Sequence, residues 1–221
     1  MTSEFAGKSI IGNKMDATSS LFTILYTFSA SLLYPVVIIL MILVVFSLML
    51  IGEFISEYAK RRRNTSDLEK YCNEVRKHVS SRDLGRAASS LRNIKQNYLV
   101  TGFAISAADH LEKDMVSSVE WLSQDYEIKM AKRLEQTRIV ATISPMLGLM
   151  GTLIPLGPAL IGLSQGDIVQ LANNLMIAFA TTVVGLFAGS IGYVLTQVRK
   201  RWYWQDMADI DYILDSLEMR E

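Results

Sequence analysis

Three long runs without a charged residue constrain most strongly what this chain can fold into. They cover residues 17–52, 139–166 and 168–198 of the 221-residue sequence. The hydrocarbon core of a bilayer is about 30 Å thick, and a helix needs about 20 apolar residues to cross it. Each run is long enough, and a chain in lipid must satisfy its backbone groups internally. The sequence therefore predicts an all-α, polytopic membrane protein with three transmembrane helices.

The first run is longer than one span requires, and Pro35 divides it. Residues 17–33 mix Ser, Thr and Tyr with apolar residues at helical spacing, which favours an interfacial helix lying along the membrane. The alternative is that these residues extend a tilted first span. We place transmembrane helix 1 at residues 35–55. Residues 1–16 are polar and lack the pattern of a cleaved signal peptide, so we expect an extracytoplasmic N-terminus.

Positive charge lies on one side of the predicted spans. Lysine and arginine cluster at residues 60–63 after span one, at 132–138 before span two and at 199–201 after span three. The turn between spans two and three, residues 164–167, carries no positive charge. The positive-inside rule then places residues 56–137 in the cytoplasm and the N-terminus and the 164–167 turn outside.

The remaining boundaries follow from the same runs. Transmembrane helix 2 is predicted over 138–163, transmembrane helix 3 over 168–198, and a cytoplasmic tail helix over 199–221. We expect multi-pass insertion in the cell membrane, the inner membrane of a cell with two, with the C-terminus in the cytoplasm. Asp167 is expected to cap helix 3, with Gln170 completing a capping box.

The cytoplasmic region, residues 56–137, is rich in helix-forming residues and contains no proline. It predicts long cytoplasmic helical extensions of the spans. Apolar residues recur every three or four positions in its second half, so we expect one long helix from Asp109 into span two. Gly85 and Gly102 are expected to mark breaks between shorter helices.

Composition narrows the function classes. The sequence has 22 basic and 22 acidic residues, and this balance does not suggest a nucleic-acid partner. The single cysteine, Cys72, excludes an intrachain disulfide. Cys72 and His78 lie in a charged helical stretch without a catalytic or metal-binding pattern. We therefore expect neither an enzyme nor a cofactor or metal site.

Small and polar residues form one stripe on the predicted third span, opposite a face of Leu, Ile, Phe and Val. The members of the stripe are Asn174, Ala178, Thr181 or Thr182, Gly185, Gly189, Gly192 and Thr196. In the second span the corresponding interruptions are Ser144, Pro145, Gly148, Gly151, Thr152 and Pro155. At a rise of 1.5 Å per residue, Thr152 lies about 21 Å above Arg138 and Thr182 about 25 Å above Arg199. The threonine hydroxyls of the two spans thus lie at about one level.

Two interpretations of these residues are open. Small residues at four-residue spacing are the usual way in which helices pack closely in lipid, and a threonine there commonly bonds to its own backbone. Three hydroxyls at one depth, with Asn174 on the same stripe, instead indicate a polar ring. No Asp, Glu, Lys, Arg or His lies in the interior of a span, since Glu53 and Arg138 stand only at the cytoplasmic edges of spans one and two. If the chain conducts ions, a partner helix must supply the ionisable group.

Two segments, PMLGLMGTLIPL and AFATTVVGLFAGSIGYVL, resemble the second-span and third-span signatures of the MotA/TolQ/ExbB proton-channel family. The matching positions are Pro145, Leu147, Gly148, Leu149, Gly151 and Thr152, followed by Ala178, Thr181, Thr182, Gly185, Leu186 and Phe187. The sequence departs from the family in two places. The glutamate that often precedes the paired threonines is absent, and Gly192 stands near the position of a usual proline. Three spans and a short tail resemble the ExbB/TolQ-like branch.

The resemblance implies a homopentamer in which spans two and three line a central pore. Two copies of a single-span partner of the MotB/TolR/ExbD type would occupy this pore. The partner's membrane aspartate would carry the ion, a proton by family default or else sodium. The implied function is a proton-channel or stator subunit that couples the proton motive force to mechanical work. The alternative is a structural or scaffolding membrane protein whose small residues serve helix packing only.

The same resemblance assigns roles to individual residues. The residues expected to line the ion pathway are Thr152, Thr181, Thr182 and Asn174. The residues expected to allow close packing at the pore wall are Pro145, Gly148, Gly151, Gly185, Gly189 and Gly192.

Overall fold

The computed structural model describes residues 20–217, except residues 22, 62 and 114–117. The helices of this described part are α1 (Leu33–Lys60), α2 (Thr65–Ser80), α3 (Leu84–Arg92), α4 (Tyr98–Glu112), α5 (Ser118–Ser164) and α6 (Ile168–Leu217). Three stretches of helix are long and apolar enough to cross a membrane: Thr23–Lys60, Val119–Ser164 and Ile168–Leu217. The all-helical class and the presence of three apolar helices of spanning length are thus confirmed.

Residues 23–31 are helical and continue into α1 with only a turn at Leu32. The Leu32 carbonyl accepts the N–H of Val36 at 3.1 Å, so hydrogen bonding continues across the turn. Pro35 has no N–H to donate to the Ser31 carbonyl, which accounts for the local turn within an otherwise continuous helix. This continuity is the geometry that a long, tilted first span requires. The interfacial placement of residues 17–33 stays a prediction, and part of that segment lies outside the described residues.

The chain divides into two compact units. In the described part, the apolar unit comprises residues 20–46 and 142–190, and the charged unit comprises residues 47–141 and 191–217. The charged unit has a hydrophobic core to which α2, α3, α4, the first turns of α5 and the last turns of α6 contribute. Its most deeply buried members include Val75, Leu91, Phe103, Leu111, Ile210 and Ile213.

Asparagine and aspartate side chains mark the helix starts in the charged unit. Asn64, Asp83 and Asn97 are the N-caps of α2, α3 and α4, and each accepts a backbone N–H two or three residues later. The expectation that glycines break this region is wrong, because Gly85 lies inside α3 and Gly102 inside α4. A Cβ at Gly102 would lie 3.1 Å from the hydroxyl oxygen of Tyr126. Glycine therefore permits close packing at this position.

The single long helix predicted to lead into span two is wrong in its first part. Helix α4 ends before Lys113, whose N–H bonds to the His110 carbonyl at 3.2 Å, and α5 begins at Ser118. Leu111 and Val119, on either side of this interruption, are both buried in the same core. From Ser118 onward, α5 is continuous for 47 residues.

The turn between α5 and α6 is built by a capping aspartate and a glycine. The Asp167 Oδ1 accepts the Gln170 N–H at 2.9 Å, which confirms the predicted cap. The other half of the predicted capping box is wrong, because the Asp167 N–H donates to the Gly162 carbonyl at 2.8 Å. Gly166 has a φ of +75°, a conformation that glycine adopts without strain. Beyond this turn α6 runs unbroken for 50 residues, so the tail continues span three as predicted.

Arg82, between α2 and α3, is a non-glycine residue in the left-handed region, with a φ of 56°. We expect Arg82→Gly to stabilise the protein by roughly 0.5–1 kcal/mol. The left-handed conformation costs a non-glycine residue about 1–2 kcal/mol, and glycine relieves this strain. Glycine also gives the unfolded chain more conformational entropy, which offsets about 0.4–1 kcal/mol of the gain. Arg82→Ala keeps the backbone penalty and should give no gain. Thermal unfolding in detergent measures both variants, and equal melting temperatures would contradict the expectation.

Candidate functional site

The threonines predicted to line an ion pathway bond to their own helices. The Thr152 hydroxyl lies 2.7 Å from the Leu149 carbonyl oxygen. The hydroxyls of Thr181 and Thr182 lie 2.9 and 3.2 Å from the Ala178 carbonyl oxygen. A hydroxyl has one proton and two lone pairs, so each oxygen remains an acceptor. Each hydroxyl can donate its proton to another group only if it breaks the hydrogen bond to its own helix carbonyl.

These threonines differ in the burial of their side chains. Thr181 is buried because it packs on α5, where a Cβ added to Gly151 would lie 2.7 Å from the Thr181 Oγ1. Thr152 and Thr182 are half-buried. Asn174 is also half-buried, and its side-chain amide bonds to a carbonyl of its own helix. It precedes Thr182 by eight residues, about 12 Å along the axis, so it does not lie at the threonine level.

Glycines let α5 and α6 approach each other closely in the apolar unit. A Cβ on Gly185 would lie 2.7 Å from the Ser144 carbonyl oxygen and 2.8 Å from the Gly148 Cα, both backbone atoms. Small residues at such a contact allow two helix backbones to touch. Gly189 is buried on α6 and Pro145 half-buried on α5. The glycines at positions 148, 151 and 185 therefore pack within one chain, and a role for the predicted glycines and Pro145 at a pore wall stays a prediction.

A second close approach between α5 and α6 lies in the charged unit. A Cβ on Gly192 would lie 2.5 Å from the Ala141 nitrogen and 3.0 Å from the Thr137 carbonyl oxygen. One turn further, the Thr196 hydroxyl lies 2.9 Å from the Thr137 hydroxyl and 2.7 Å from the Gly192 carbonyl. Thr137 is a partner that the sequence analysis missed, because it lies outside the predicted second span. The two hydroxyls join the helices by a polar contact beside the glycine.

A buried arginine lies on α6 in the charged unit. The Arg199 side chain is 0% exposed, and its Nε donates to the Glu57 Oε2 at 3.1 Å. The Arg199 Nη2 lies 3.5 Å from the Glu53 Oε1. The Tyr203 hydroxyl donates to the other oxygen of Glu57 at 3.3 Å. Burial, followed by the nearby Glu57 carboxylate, raises the pKa of Tyr203 to about 12, so the phenol remains a donor at neutral pH.

A second buried ion pair joins the end of α1 to α6. The Arg61 guanidinium donates to both carboxylate oxygens of Asp206, at 2.6 and 3.1 Å. The Asn97 side-chain amide donates to the same carboxylate at 2.7 Å. Arg61 also lies over the Trp202 ring, 5.0 Å from its centroid. Burial raises the pKa of Asp206 above its ordinary value, while the hydrogen bonds and the charge of Arg61 and the amide of Asn97 oppose this rise.

Sequence reasoning missed these pairings. The basic run at residues 60–63 predicts only membrane orientation, yet Arg61 binds Asp206 and Arg63 binds Asp209, the latter at 2.8 Å. The two aspartates are three residues apart on α6, a spacing that places them on one helix face. A basic run after span one and two acids on one face of the tail helix were therefore the available signal.

These features define a class of protein. The protein is an all-helical, multi-pass membrane protein whose helices α5 and α6 pack through glycines, and whose uncharged runs at residues 139–166 and 168–198 carry hydroxyls without Asp, Glu, Lys, Arg or His. The sequence model of the MotA/TolQ/ExbB proton channel family matches residues 90–211, which is 122 of the 221 residues. The chain therefore belongs to the MotA/TolQ/ExbB proton channel family, and the resemblance of its two span motifs to this family is confirmed. No curated protein matches the chain.

Proposed function

We propose that the chain is the channel subunit of an ion-driven membrane motor, of the three-span ExbB/TolQ-like branch, and not an enzyme. One observation carries this proposal: Thr152 and Thr182 are half-buried hydroxyls in runs, residues 139–166 and 168–198, that contain no Asp, Glu, Lys, Arg or His. A path lined only by hydroxyls needs an acid from elsewhere to carry a proton across a membrane. Membership in a proton channel family supports this role.

The acid comes from a single-span partner of the MotB/TolR/ExbD type. In this proposal five copies of the chain surround two copies of the partner, and α5 and α6 face them. The ion is a proton, with sodium as the alternative. The N-terminus lies outside the cell membrane and the charged unit in the cytoplasm, because lysine and arginine cluster at residues 60–63, 132–138 and 199–201.

The hydroxyls are suited to both protonation states of such an acid. A protonated carboxyl group donates one hydrogen bond, which the free lone pair of Thr152 or Thr182 can accept. When the acid has lost its proton, the same hydroxyl can rotate away from its helix carbonyl and donate to the carboxylate. The threonines themselves do not titrate. They would therefore stabilise the acid on both sides of a proton transfer without competing for the proton.

The double substitution Thr152→Val/Thr182→Val tests the proposal. We expect partner-dependent proton flux to fall about 10- to 100-fold, because a hydrogen bond to a charged group contributes about 1.5–3 kcal/mol. Valine has nearly the shape of threonine, so assembly should be unchanged. Proton uptake is measured in vesicles from cells that also express the partner. The mass of the purified complex reports assembly, with five chains and two partners expected.

The matched control is Thr27→Val. The Thr27 hydroxyl also bonds to its own helix, 2.9 Å from the Thr23 carbonyl, but it lies outside the α5 and α6 stripes. This variant should conduct normally. One observation favours the scaffold alternative, namely that every pathway threonine already has a helix bond. Normal flux and normal assembly in the double variant would make the threonines packing groups and establish that alternative.

A further inference from the structure

A cleft in the charged unit lies between the end of α1, the start of α4 and the middle of α5. It has two adjoining parts of about 310 and 590 Å³. The parts share a wall formed by Glu53, Tyr98, Leu99 and Arg133. Lys60 lines the smaller part and Lys132 the larger one. Neither the proposed ion pathway nor the buried ion pairs account for this concave surface.

The three carboxylates that line the cleft contact two arginines. Asp206 is bound by both nitrogens of Arg61, and Glu57 is bound by the buried Arg199. Glu53 lies at 3.5 Å from the same Arg199, a longer contact. Asp206 is thus neutralised by Arg61, whereas Glu53 and Glu57 share the single charge of Arg199 and leave one net negative charge at the cleft.

Most basic residues of the cleft lack an ion-pair partner in the described part of the chain. Lys60, Lys132 and Arg133 have no carboxylate within ion-pair distance among the residues that the structure describes. Lys129, which also lines the larger part, is bound to Asp125 at 2.6 Å. These three cations exceed the one negative charge left on Glu53 and Glu57, and the concave surface that they line is therefore suited to an anion.

The position along α5 indicates where that anion comes from. Arg138 marks the predicted cytoplasmic end of span two, and Arg133 and Lys132 precede it by five and six residues, about 7.5 and 9 Å along the helix. The headgroup layer extends roughly 5–8 Å beyond the hydrocarbon core on each side. Tyr98, which is 78% exposed at the cleft wall, is a residue type enriched at this depth.

We infer that this cleft binds the phosphate of an anionic phospholipid headgroup, with Lys60, Lys132 and Arg133 as its cationic contacts. The inference rests on the membrane topology of the proposed function, but not on ion conduction. A guanidinium binds phosphate oxygens in a bidentate manner, and the two lysines add point charges on either side. The lipid would hold α1, α4 and α5 together at the membrane surface.

Lipid binding is tested on the full-length protein purified in an uncharged detergent. Native mass spectrometry measures retention of added short-chain phosphatidylglycerol, phosphatidylcholine and inorganic phosphate. We expect phosphatidylglycerol to be retained at least about tenfold better than phosphatidylcholine, since only its headgroup carries a net negative charge. Equal retention of the two lipids would overturn the inference. Inorganic phosphate bound as tightly as phosphatidylglycerol would also overturn it, because the site would then recognise a free anion.

The double substitution Lys132→Gln/Arg133→Gln removes two contacts and should weaken phosphatidylglycerol binding about tenfold or more. The matched control is Lys200→Gln/Arg201→Gln, which removes the same charge near the predicted boundary of span three but outside the cleft. The control should bind within about twofold of the natural protein. Equal losses in the two doubles would show general surface attraction and overturn the inference. This measurement needs no partner and no ion gradient, so a failed flux test leaves it unaffected.

Discussion

Leucine in place of Gly185 should abolish the pairing of α5 and α6 in the apolar unit and prevent recovery of folded protein. The added Cβ alone would lie 2.7 Å from the Ser144 carbonyl oxygen and 2.8 Å from the Gly148 Cα. Overpacking against movable side chains costs about 1–3 kcal/mol. Both obstacles here are backbone atoms of a continuous helix, and the rest of the leucine side chain has no space. A total stability of about 5–15 kcal/mol does not offset the separation of two helices.

Substitutions of increasing size at Gly185 separate this steric effect from the effect of replacing any glycine in a helix. Gly185→Ala should fold with a lower melting temperature, and Gly185→Leu should give no monodisperse protein. The matched control is Gly52→Leu on α1, where an added Cβ meets no atom within 4 Å. It should fold normally and can gain about 0.5–1 kcal/mol in helix propensity. Size-exclusion chromatography and thermal unfolding in detergent are the measurements. Equal behaviour of the two leucine variants would contradict the close contact at Gly185.

The membrane helices could be predicted from the sequence because a bilayer imposes one dominant rule. Uncharged runs of sufficient length have few alternatives to helix, whatever they later pack against. The run at residues 168–198 accordingly lies within α6, and the run at residues 139–166 lies within α5 as far as Ser164. The turn between them was also predictable, since the Asp167 cap depends on residues only three apart.

The helix boundaries of the charged unit were less predictable, because the same residue type serves two physical roles. Glycine often marks the end of a helix, yet Gly102 lies inside α4 and makes room for the Tyr126 hydroxyl. Only the tertiary partner decides between these roles. The N-cap residues Asn64, Asp83 and Asn97 were the better local signals, because each offers a side-chain acceptor to free N–H groups.

The sequence predicts which residues of the candidate site share one face of α6, but not which surface that face contacts. Helical periodicity places Thr181, Thr182 and Gly185 near one another on α6, and it gives no information on the surface that they meet. The structure shows that Thr181 and Gly185 meet α5 of the same chain, while Thr182 stays half-buried. The ion pairs were harder still, because charge signs alone cannot match Arg61 to an aspartate 145 residues away.

Arg61→Met should destabilise the protein by about 3–5 kcal/mol at neutral pH, because it leaves a buried carboxylate without its cation. The Asp206 side chain is 0% exposed, and after the substitution only the Asn97 amide still donates to it. The matched control is Arg76→Met, which breaks another arginine–aspartate pair, at 2.8 Å, between side chains that are each about half exposed. An exposed pair contributes only about 0–1 kcal/mol, so the control should change little.

The pH dependence of Arg61→Met gives a second, independent measurement. Burial already holds the folded-state pKa of Asp206 above its ordinary 3.8, so this carboxyl favours folding at low pH and loses that contribution as pH rises through its folded pKa. Arg61 lowers the pKa of Asp206, and its removal should therefore raise that pKa further. The deficit of the variant should be small near pH 4 and grow towards pH 7, whereas Arg61→Met/Asp206→Leu should recover most of the stability and lose this pH dependence. Thermal unfolding followed by circular dichroism measures these effects. In the contrary case Arg61→Met would lose no more stability than Arg76→Met, or would lose the same amount at every pH. Either result would show that Arg61 does not stabilise the ionised form of Asp206.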